Sequence, residues 1–357
     1  MNAHTSTQKA IELLCRLISI PRISRQETLA ADMLYDYLSS ACSFPVNRTG
    51  NNLWTLSPHF SEKRPTLLLC AHIDTVRPTD GWSRNPHEPV FEDGRIYGLG
   101  SNDDGASLVC LLHTFLALSA RPQAYNLVFL ATAEEEVCGS GGVESVLPLL
   151  PPISVALVGE PTGMQPAIAE RGLMVLDVTS HGRSGHAARN EGDNAIYHAM
   201  DDMQWFRTFR FPKVSPLLGE VKMTVTIVEA GTQHNVVPDR CKFTVDVRTN
   251  ELYTNKEVYK FICQNVRSEV SARSTRLSSS HIEETHPLVR RAVALGREPF
   301  GSPTLSDQSL MPFPSLKMGP GQSSRSHTAD EYVMEKEIEE AIPLYIQLLD
   351  GLDISKA

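Results

Sequence analysis

Residues 66–76, TLLLCAHIDTV, restrict what this chain can fold into more than any other stretch. Its opening residues are Thr or apolar, so they read as a strand buried on both faces, which is the habit of a parallel sheet covered by helices. His72 and Asp74 then stand one residue apart at its end. On an extended chain residues i and i+2 point the same way. An imidazole and a carboxylate are therefore expected together at the carboxyl end of a core strand, where open α/β sheets place their ligands. Taken alone, two solvated polar residues at a strand end would account for the pair.

The surrounding pattern supports an α/β layer structure. Residues 8–18 carry apolar side chains at helical spacing. Ser24 and Glu27 have the spacing of a capping box for a helix running to about residue 38, with Leu29, Met33 and Tyr37 on one face. A short strand is expected near 52–56. Residues 77–99 read as an ordered loop ending in a turn at Asp93-Gly94. A helix over 105–119, a buried strand over 126–132, a short helix over 142–149 and a buried strand over 153–158 follow. Alternation of this kind predicts a mostly parallel sheet flanked by helices.

After Pro161 the pattern changes. Residues 173–181 alternate apolar and polar, a helix is expected over 194–206, and strands over 222–229 and 241–248. A helix over 255–270 and a strand near 275–282 complete a β-α-β-β-α-β order, the ferredoxin-like arrangement with helices on one sheet face. The helix-and-strand pattern of the first part returns from about Pro287 and ends in an amphipathic helix over 335–350. We therefore expect an α/β domain made of 1–168 and 283–357, with an α+β domain, 169–282, inserted into it. The open face or edge of the second sheet is a candidate for dimer contacts.

Composition narrows the partners. The chain has 357 residues, enough for two domains with separate cores. With 41% hydrophobic and 21% charged residues it is composed as a soluble globular protein. A net charge of -9 and a pI near 5.8 argue against a nucleic-acid or anionic-membrane surface. Seven scattered cysteines without a C-x-x-C pair read as reduced, mostly buried thiols. No basic-then-apolar leader opens the sequence, and no apolar run approaches the roughly 18 residues that span a bilayer, so a cytoplasmic location is expected.

Each expected strand end in the first domain delivers an acid or a histidine. Asp103 and Asp104 follow in GLGSNDDG, Glu134, Glu135 and Glu136 follow the strand NLVFLAT, Glu160 stands in LVGEPTG, and His327 in GPGQSSRSHTADEY. Any one of these carboxylates is explained by a favourable helix dipole. Gathered at one sheet edge they would repel one another unless cations offset them. Two histidines with three or four carboxylates form the ligand set of a pair of zinc-type divalent ions, and a spare carboxylate beside them would serve as a general base.

Taken in order, His72-x-Asp74, Gly98-Leu99-Gly100-Ser101-Asn102-Asp103, Glu134-Glu135-Glu136, Gly159-Glu160-Pro161-Thr162 and Ser326-His327 resemble the motifs of the M20 family of di-zinc deacylases and peptidases. The likeness covers nearly the whole chain, and LLLCAHIDTV, YGLGSND and VGEPT resemble the acetylornithine deacetylase branch. The fold this implies is zinc-peptidase-like, with the inserted domain as lid and dimerisation domain. The roles it implies are Asp103 as the ligand bridging two metals, His72 and Glu160 on one ion, Glu136 and His327 on the other, and Glu135 as general base. Asp74 would orient His72 and raise its basicity. Zinc is the implied metal, with cobalt as the alternative.

For the inserted domain the resemblance implies that His186, in SGHAARNEGDNAI, reaches the active site from the partner subunit. Asn235 and Arg248 would hold the oxyanion or the substrate carboxylate, a task that suits a bidentate guanidinium. From the residues alone, His186 reads as a surface loop histidine and Arg248 as a member of an ion pair. Gly319 and Gly321 are expected to line the substrate pocket through their backbone. Two departures stand out. The family's Asp-x-Lys-Gly is Asp103-Asp104-Gly105-Ala106 here, adding a negative charge near the metals. Its Asp-Glu-Glu-x-Gly is Glu134-Glu135-Glu136-Val137-Cys138, which leaves base and ligand open to a shift of one position.

The implied activity is hydrolysis of the amide bond of an N-acyl amino acid, N-acetyl-L-ornithine or N-succinyl-L-ornithine in arginine biosynthesis, by a homodimer formed through the inserted domain. Succinyl-diaminopimelate or a dipeptide is the alternative substrate. A succinyl group would want an extra cation, and Arg183, Arg189, Arg273 and Arg325 are candidates. A non-catalytic binding protein would need neither the base nor the full ligand set, yet all of those positions hold competent residues. A purely structural zinc site would have no base beside an open position.

Overall fold

The computed structural model describes residues 3–189 and 191–355. The chain divides into two compact units. One runs to Ile168 and resumes over His281–Phe300 and from Ser306 onward; the other comprises Ala169–Ser280 with Gly301–Leu305.

The first unit is built on four parallel strands lying side by side in the order Asn126–Thr132, Thr66–His72, Val155–Val158 and Ser315–Lys317. Asn52–Leu56 extends the sheet antiparallel beyond Asn126–Thr132, and Val46–Thr49 closes that edge. Every residue of Thr66–His72 and of Asn126–Thr132 is buried, as both-faced coverage requires. Leu68, Cys70, Val128, Leu130, Ala156 and Val158 pack with Val143 and Val146 into one core. The helix Ala106–Leu118 is buried almost all round and lies against Thr66–His72 and the carboxyl-terminal helix Glu335–Leu349. Truncating a fully buried leucine such as Leu68 to Ala costs about 2–5 kcal/mol at sites of this kind.

The second unit is a four-stranded antiparallel sheet in the order Lys222–Ala230, Arg240–Arg248, Met174–His181, Glu269–Ala272. Met174, Leu176 and Val178 on one strand and Cys241, Phe243, Val245 and Val247 on its neighbour point to one face, the period-two signature of a half-covered sheet. The helices Ala195–Thr208 and Asn255–Asn265 cover that face. Asn194 caps the first by accepting from the amide of Ile196 at 3.0 Å, and Thr254 with Glu257 forms a capping box on the second. The β-α-β-β-α-β order is the expected ferredoxin-like one.

Several local expectations are corrected. The second helix is Thr28–Ala41 and buries Ala30, Ala31, Leu34 and Leu38, whereas Leu29 is 66% exposed. Ser24 does not cap it; its hydroxyl donates to Asp74 Oδ2 at 2.6 Å. The turn at Asp93-Gly94 joins two short strands, Val90–Glu92 and Arg95–Tyr97, inside what reads as a loop. The last strand of the second unit is Glu269–Ala272, and residues 275–282 hold only the two-residue strand Ser280–His281. No disulfide joins the described cysteines; Cys70, Cys110 and Cys241 are buried and Cys263 is exposed.

Candidate metal centre

The four parallel strands of the first unit bring their carboxyl ends to one edge. His72 is in register with Thr132, and Cys70 with Val158. Beyond those ends lie Asp74, Glu134–Glu136, Glu160 and, after Lys317, Gly319–Gly321. Residues 98–105 supply Asp103 in a tight turn that leads into the helix Ala106–Leu118.

Asp103 lies between two imidazoles. Its Oδ1 is 3.1 Å from His72 Nε2 and its Oδ2 is 3.6 Å from His327 Nε2. His327 Nε2 is also 2.9 Å from Glu136 Oε2, and Glu135 Oε2 is 3.9 Å from His72 Nε2. Donor atoms of His72, Asp103 and Glu136 lie within 4.8 Å of one another, as do those of His72, Glu135 and Glu160. Imidazole nitrogens and carboxylate oxygens converging in this way fit divalent ions of zinc type.

Glu134 stands apart from this cluster. Its backbone is left-handed, with φ of 56°, and its carboxylate turns toward Gly139, Gly141 and Arg25. A Cβ on Gly139 would come within 1.9 Å of its Oε2, so the glycine is what admits the side chain. Glu135 and Glu136 are the two glutamates that face the histidines.

Asp74 reaches His72 through the main chain. His72 Nδ1 is 2.9 Å from the Asp74 carbonyl oxygen and 3.6 Å from its Oδ1. The carboxylate is occupied otherwise: it accepts from Ser24 Oγ and from the amides of Glu135 and Glu136 at 3.1 and 3.2 Å. One buried acid thereby ties the strand end that bears His72 to the turn that bears Glu135 and Glu136.

The charges respond to this crowding. Burial pushes Glu135 well above the usual carboxylate range, and repulsion from Glu160, Asp307 and Glu136 adds to it against the pull of His72. Burial likewise raises Glu160, with Lys317 opposing and Asp103 and Asp104 reinforcing the shift. For His72 burial works against the charge, but its bonds to Asp103 and Asp74 outweigh that and raise it well above an ordinary histidine. The bond to Glu136 lifts His327 to about 9. Asp104, the acid that adds a negative charge beside Asp103, is fully buried, and burial raises it to about 7. A site that neutralises its acids in this way is short of positive charge.

Residues that the sequence did not single out stand behind the cluster. Asp307 accepts from Thr132 Oγ1 at 2.6 Å beneath Glu135. Arg22, fully buried, donates to the carbonyls of Ile73 and Gly100. Glu331 is buried beside residues 98–105. Only Glu331 had an available signal, as an acid four residues beyond a histidine already under consideration.

Gly319 and Gly321 sit where side chains would collide. A Cβ on Gly319 would lie 2.6 Å from the Glu160 carbonyl oxygen, and one on Gly321, whose φ is 85°, would lie 2.3 Å from Asn102 Oδ1. Gly321 also borders a cavity of about 670 Å³ with Gly163, Gln322 and Glu337. In the second unit His186 is exposed on the short strand Gly185–His186, which pairs with Val236–Val237. The Asn235 carbonyl accepts from the amide of Ala187 at 3.0 Å, so His186 and Asn235 belong to one small ribbon. Arg248 ends its strand in a two-point pair with Asp246, at 2.8 and 3.1 Å.

The chain is similar to known proteins over most of its length. Succinyl-diaminopimelate desuccinylase of Corynebacterium glutamicum is 27% identical over 363 residues, covering 95% of each chain. Acetylornithine deacetylase of Shigella sonnei is 27% identical over 383 residues, covering 95% of this chain and 96% of its own. Among solved structures, a tripeptidase from Staphylococcus aureus superposes with a TM-score of 0.76 at 19% identity, covering 97% of this chain and 98% of its own. A dinuclear metal-binding peptidase of the M20 family from Bacillus subtilis superposes at 0.72 with 16% identity, over 97% and 98% of the two chains. The family model described as peptidase family M20/M25/M40 matches residues 68–351. With its motifs at the ends of one parallel sheet and a family match over most of its length, this chain belongs to the peptidase family M20/M25/M40 and is a metal-dependent amidohydrolase.

Proposed function

We propose that this chain hydrolyses the amide bond of an N-acyl amino acid, N-acetyl-L-ornithine or N-succinyl-L-ornithine, releasing L-ornithine for arginine biosynthesis in the cytoplasm. The observation that carries the reading is Asp103, whose Oδ1 and Oδ2 face His72 and His327 at 3.1 and 3.6 Å. A carboxylate addressed to two imidazoles is what a ligand shared by two ions must be. In this reading His72 and Glu160 complete one ligand set, and Glu136 and His327 the other. Two divalent ions, zinc or cobalt, would when bound acidify a water and polarise the amide carbonyl.

The protein's own groups then move the proton. Glu135 Oε takes it from water and returns it to the nitrogen of the departing amine. Asp74 holds the His72 ring and the Glu135–Glu136 turn in place. His186 and Asn235 would donate to the oxyanion, and Arg248 would hold the substrate carboxylate. Residues 169–282 would serve as lid and dimerisation domain, with His186 supplied by the partner subunit of a homodimer. That assignment is supported by the outer edge of Lys222–Ala230, which pairs with no other described strand and carries Ile227 and Val228 at 50% and 52% exposure. Tyr197 and Met200 on the helix Ala195–Thr208 are also exposed, at 67% and 55%.

Two relatives of equal identity, one named a desuccinylase and one a deacetylase, keep succinyl-diaminopimelate as the second substrate reading. Of the arginines that a succinyl carboxylate could use, Arg273 is paired with Asp177 and Arg325 with Glu337, whereas Arg183 and Arg189 are exposed. The test is amine release by zinc- or cobalt-loaded protein from N-acetyl-ornithine, N-succinyl-ornithine and N-succinyl-diaminopimelate. Turnover of one ornithine conjugate well above the others supports the reading. Preference for the diaminopimelate conjugate replaces the substrate, and no turnover of any N-acyl amino acid or dipeptide with both ions bound overturns it.

A further inference from the structure

We propose that Glu331 is a positioning residue for the two-metal centre: its single carboxylate sets the place of Asp103 relative to His327. The inference rests on reading those two residues as metal ligands, and it assigns a task to an acid that no motif marked.

Glu331 is 1% exposed and lies four residues beyond His327. Its Oε1 accepts from the amides of Asn102 and Asp103, both at 2.9 Å, and its Oε2 accepts from the amide of Gly100 at 2.9 Å. Its main-chain carbonyl accepts from the amide of Gly98 at 3.0 Å. Nearly the whole turn that carries Asp103 is therefore held by one residue of the segment that carries His327. An isolated turn of this shape would leave those amides unpaired in a buried place, and an ionised carboxylate is the acceptor that can satisfy three at once.

Two neighbours make the arrangement a bracket rather than a single link. Asn102 Nδ2 donates to Gln322 O and Ser326 Oγ, both at 3.1 Å, and its Oδ1 accepts from the Gln322 amide at 2.9 Å. Arg22 joins the same turn to the strand end bearing His72, donating to Gly100 O and to Ile73 O. It is also the buried cation that offsets Glu331. The positions of His72, Asp103 and His327 are thus interlocked through groups that do not themselves face the cluster. A side chain that acts on ligands through their backbone in this way is expected to govern metal affinity without touching metal.

The test compares Glu331→Gln and Glu331→Asp with Tyr125→Phe. The last removes a buried hydrogen bond elsewhere in the first unit, from Tyr125 Oη to Leu349 O at 2.8 Å. Glutamine has one acceptor oxygen and must turn an N–H toward an amide N–H; aspartate keeps the charge but falls short by a methylene. Stepwise cobalt affinity, the visible absorption spectrum of the cobalt-loaded protein and thermal stability are measured on each full-length chain. We expect the weaker cobalt site to lose about 10–100-fold in affinity and the spectrum to shift in Glu331→Gln, with Glu331→Asp intermediate. Tyr125→Phe should lose stability and keep both metal readouts. Should Glu331→Gln not fold, Glu331→Asp carries the same comparison. Affinities and spectra indistinguishable from the parent in the folded Glu331 variants would overturn the proposal and leave the two-metal reading standing. A parent protein that takes up fewer than two ions would overturn both.

Discussion

Glu136 and His327 face each other at 2.9 Å, Oε2 to Nε2, although Ala169–Ser280 lies between them in the chain. The bond holds a proton on His327 up to about pH 9 in the metal-free protein. Because the folded value lies above the unfolded one, the charged pair favours the metal-free fold below about pH 6.5, and the effect is lost as pH rises through 9. A metal must displace that proton. Binding near pH 8 should therefore release protons, and affinity should climb with pH until His327 is neutral. Calorimetry in buffers of different ionisation enthalpy measures the release; a heat that is independent of buffer would refute it.

Glu135 is the spare acid beside His72, and its loss should separate chemistry from metal binding. Glu135→Gln keeps shape and hydrogen bonding but removes the proton acceptor. We expect kcat to fall about a hundred- to ten-thousand-fold, with two ions still bound per chain. Metal analysis alongside single-turnover kinetics decides it. If an ion is lost together with activity, Glu135 is a ligand instead.

Asp74 accepts from the amides of both Glu135 and Glu136 while sitting behind His72. Asp74→Asn leaves one acceptor oxygen for three donors, so the glutamate turn should loosen. A drop of about 10–100-fold in metal affinity is expected, with the largest effect on the ion assigned to Glu136 and His327. Competition against a chelator of known affinity reads this directly, and unchanged affinity would show that the turn holds itself.

His113 makes a prediction away from the centre. It is buried between Ser6 Oγ and Tyr37 Oη at 3.3 and 3.1 Å, and burial, with Lys9 nearby, lowers it to about 4. The unfolded chain then binds a proton that the folded one refuses. Stability is fully present above about pH 6.5 and falls as pH drops toward 4, by about 3 kcal/mol from this residue. Urea unfolding of metal-free protein and of His113→Gln across that window should show a shallower decline in the variant. Parallel declines would remove His113 as the cause.

Signals confined to a few neighbouring residues were legible in the sequence. A run such as TLLLCAH reads as a buried strand, and its end brings polar side chains to the carboxyl edge of the sheet. That is why the sequence itself places His72, Glu134–Glu136 and Glu160 along one sheet edge, and why the half-covered second sheet is legible from Met174 to Arg248. The tertiary structure decided everything that depends on a partner far away in the chain. It took the Ser24 hydroxyl from the helix to Asp74 and left Leu29 exposed while Ala30 and Leu34 were buried. It also set Arg22 and Glu331 behind the turn of Asp103. The local pattern records which face of a segment avoids water, but a hydrogen bond between residues tens to hundreds of positions apart leaves no period or spacing to read.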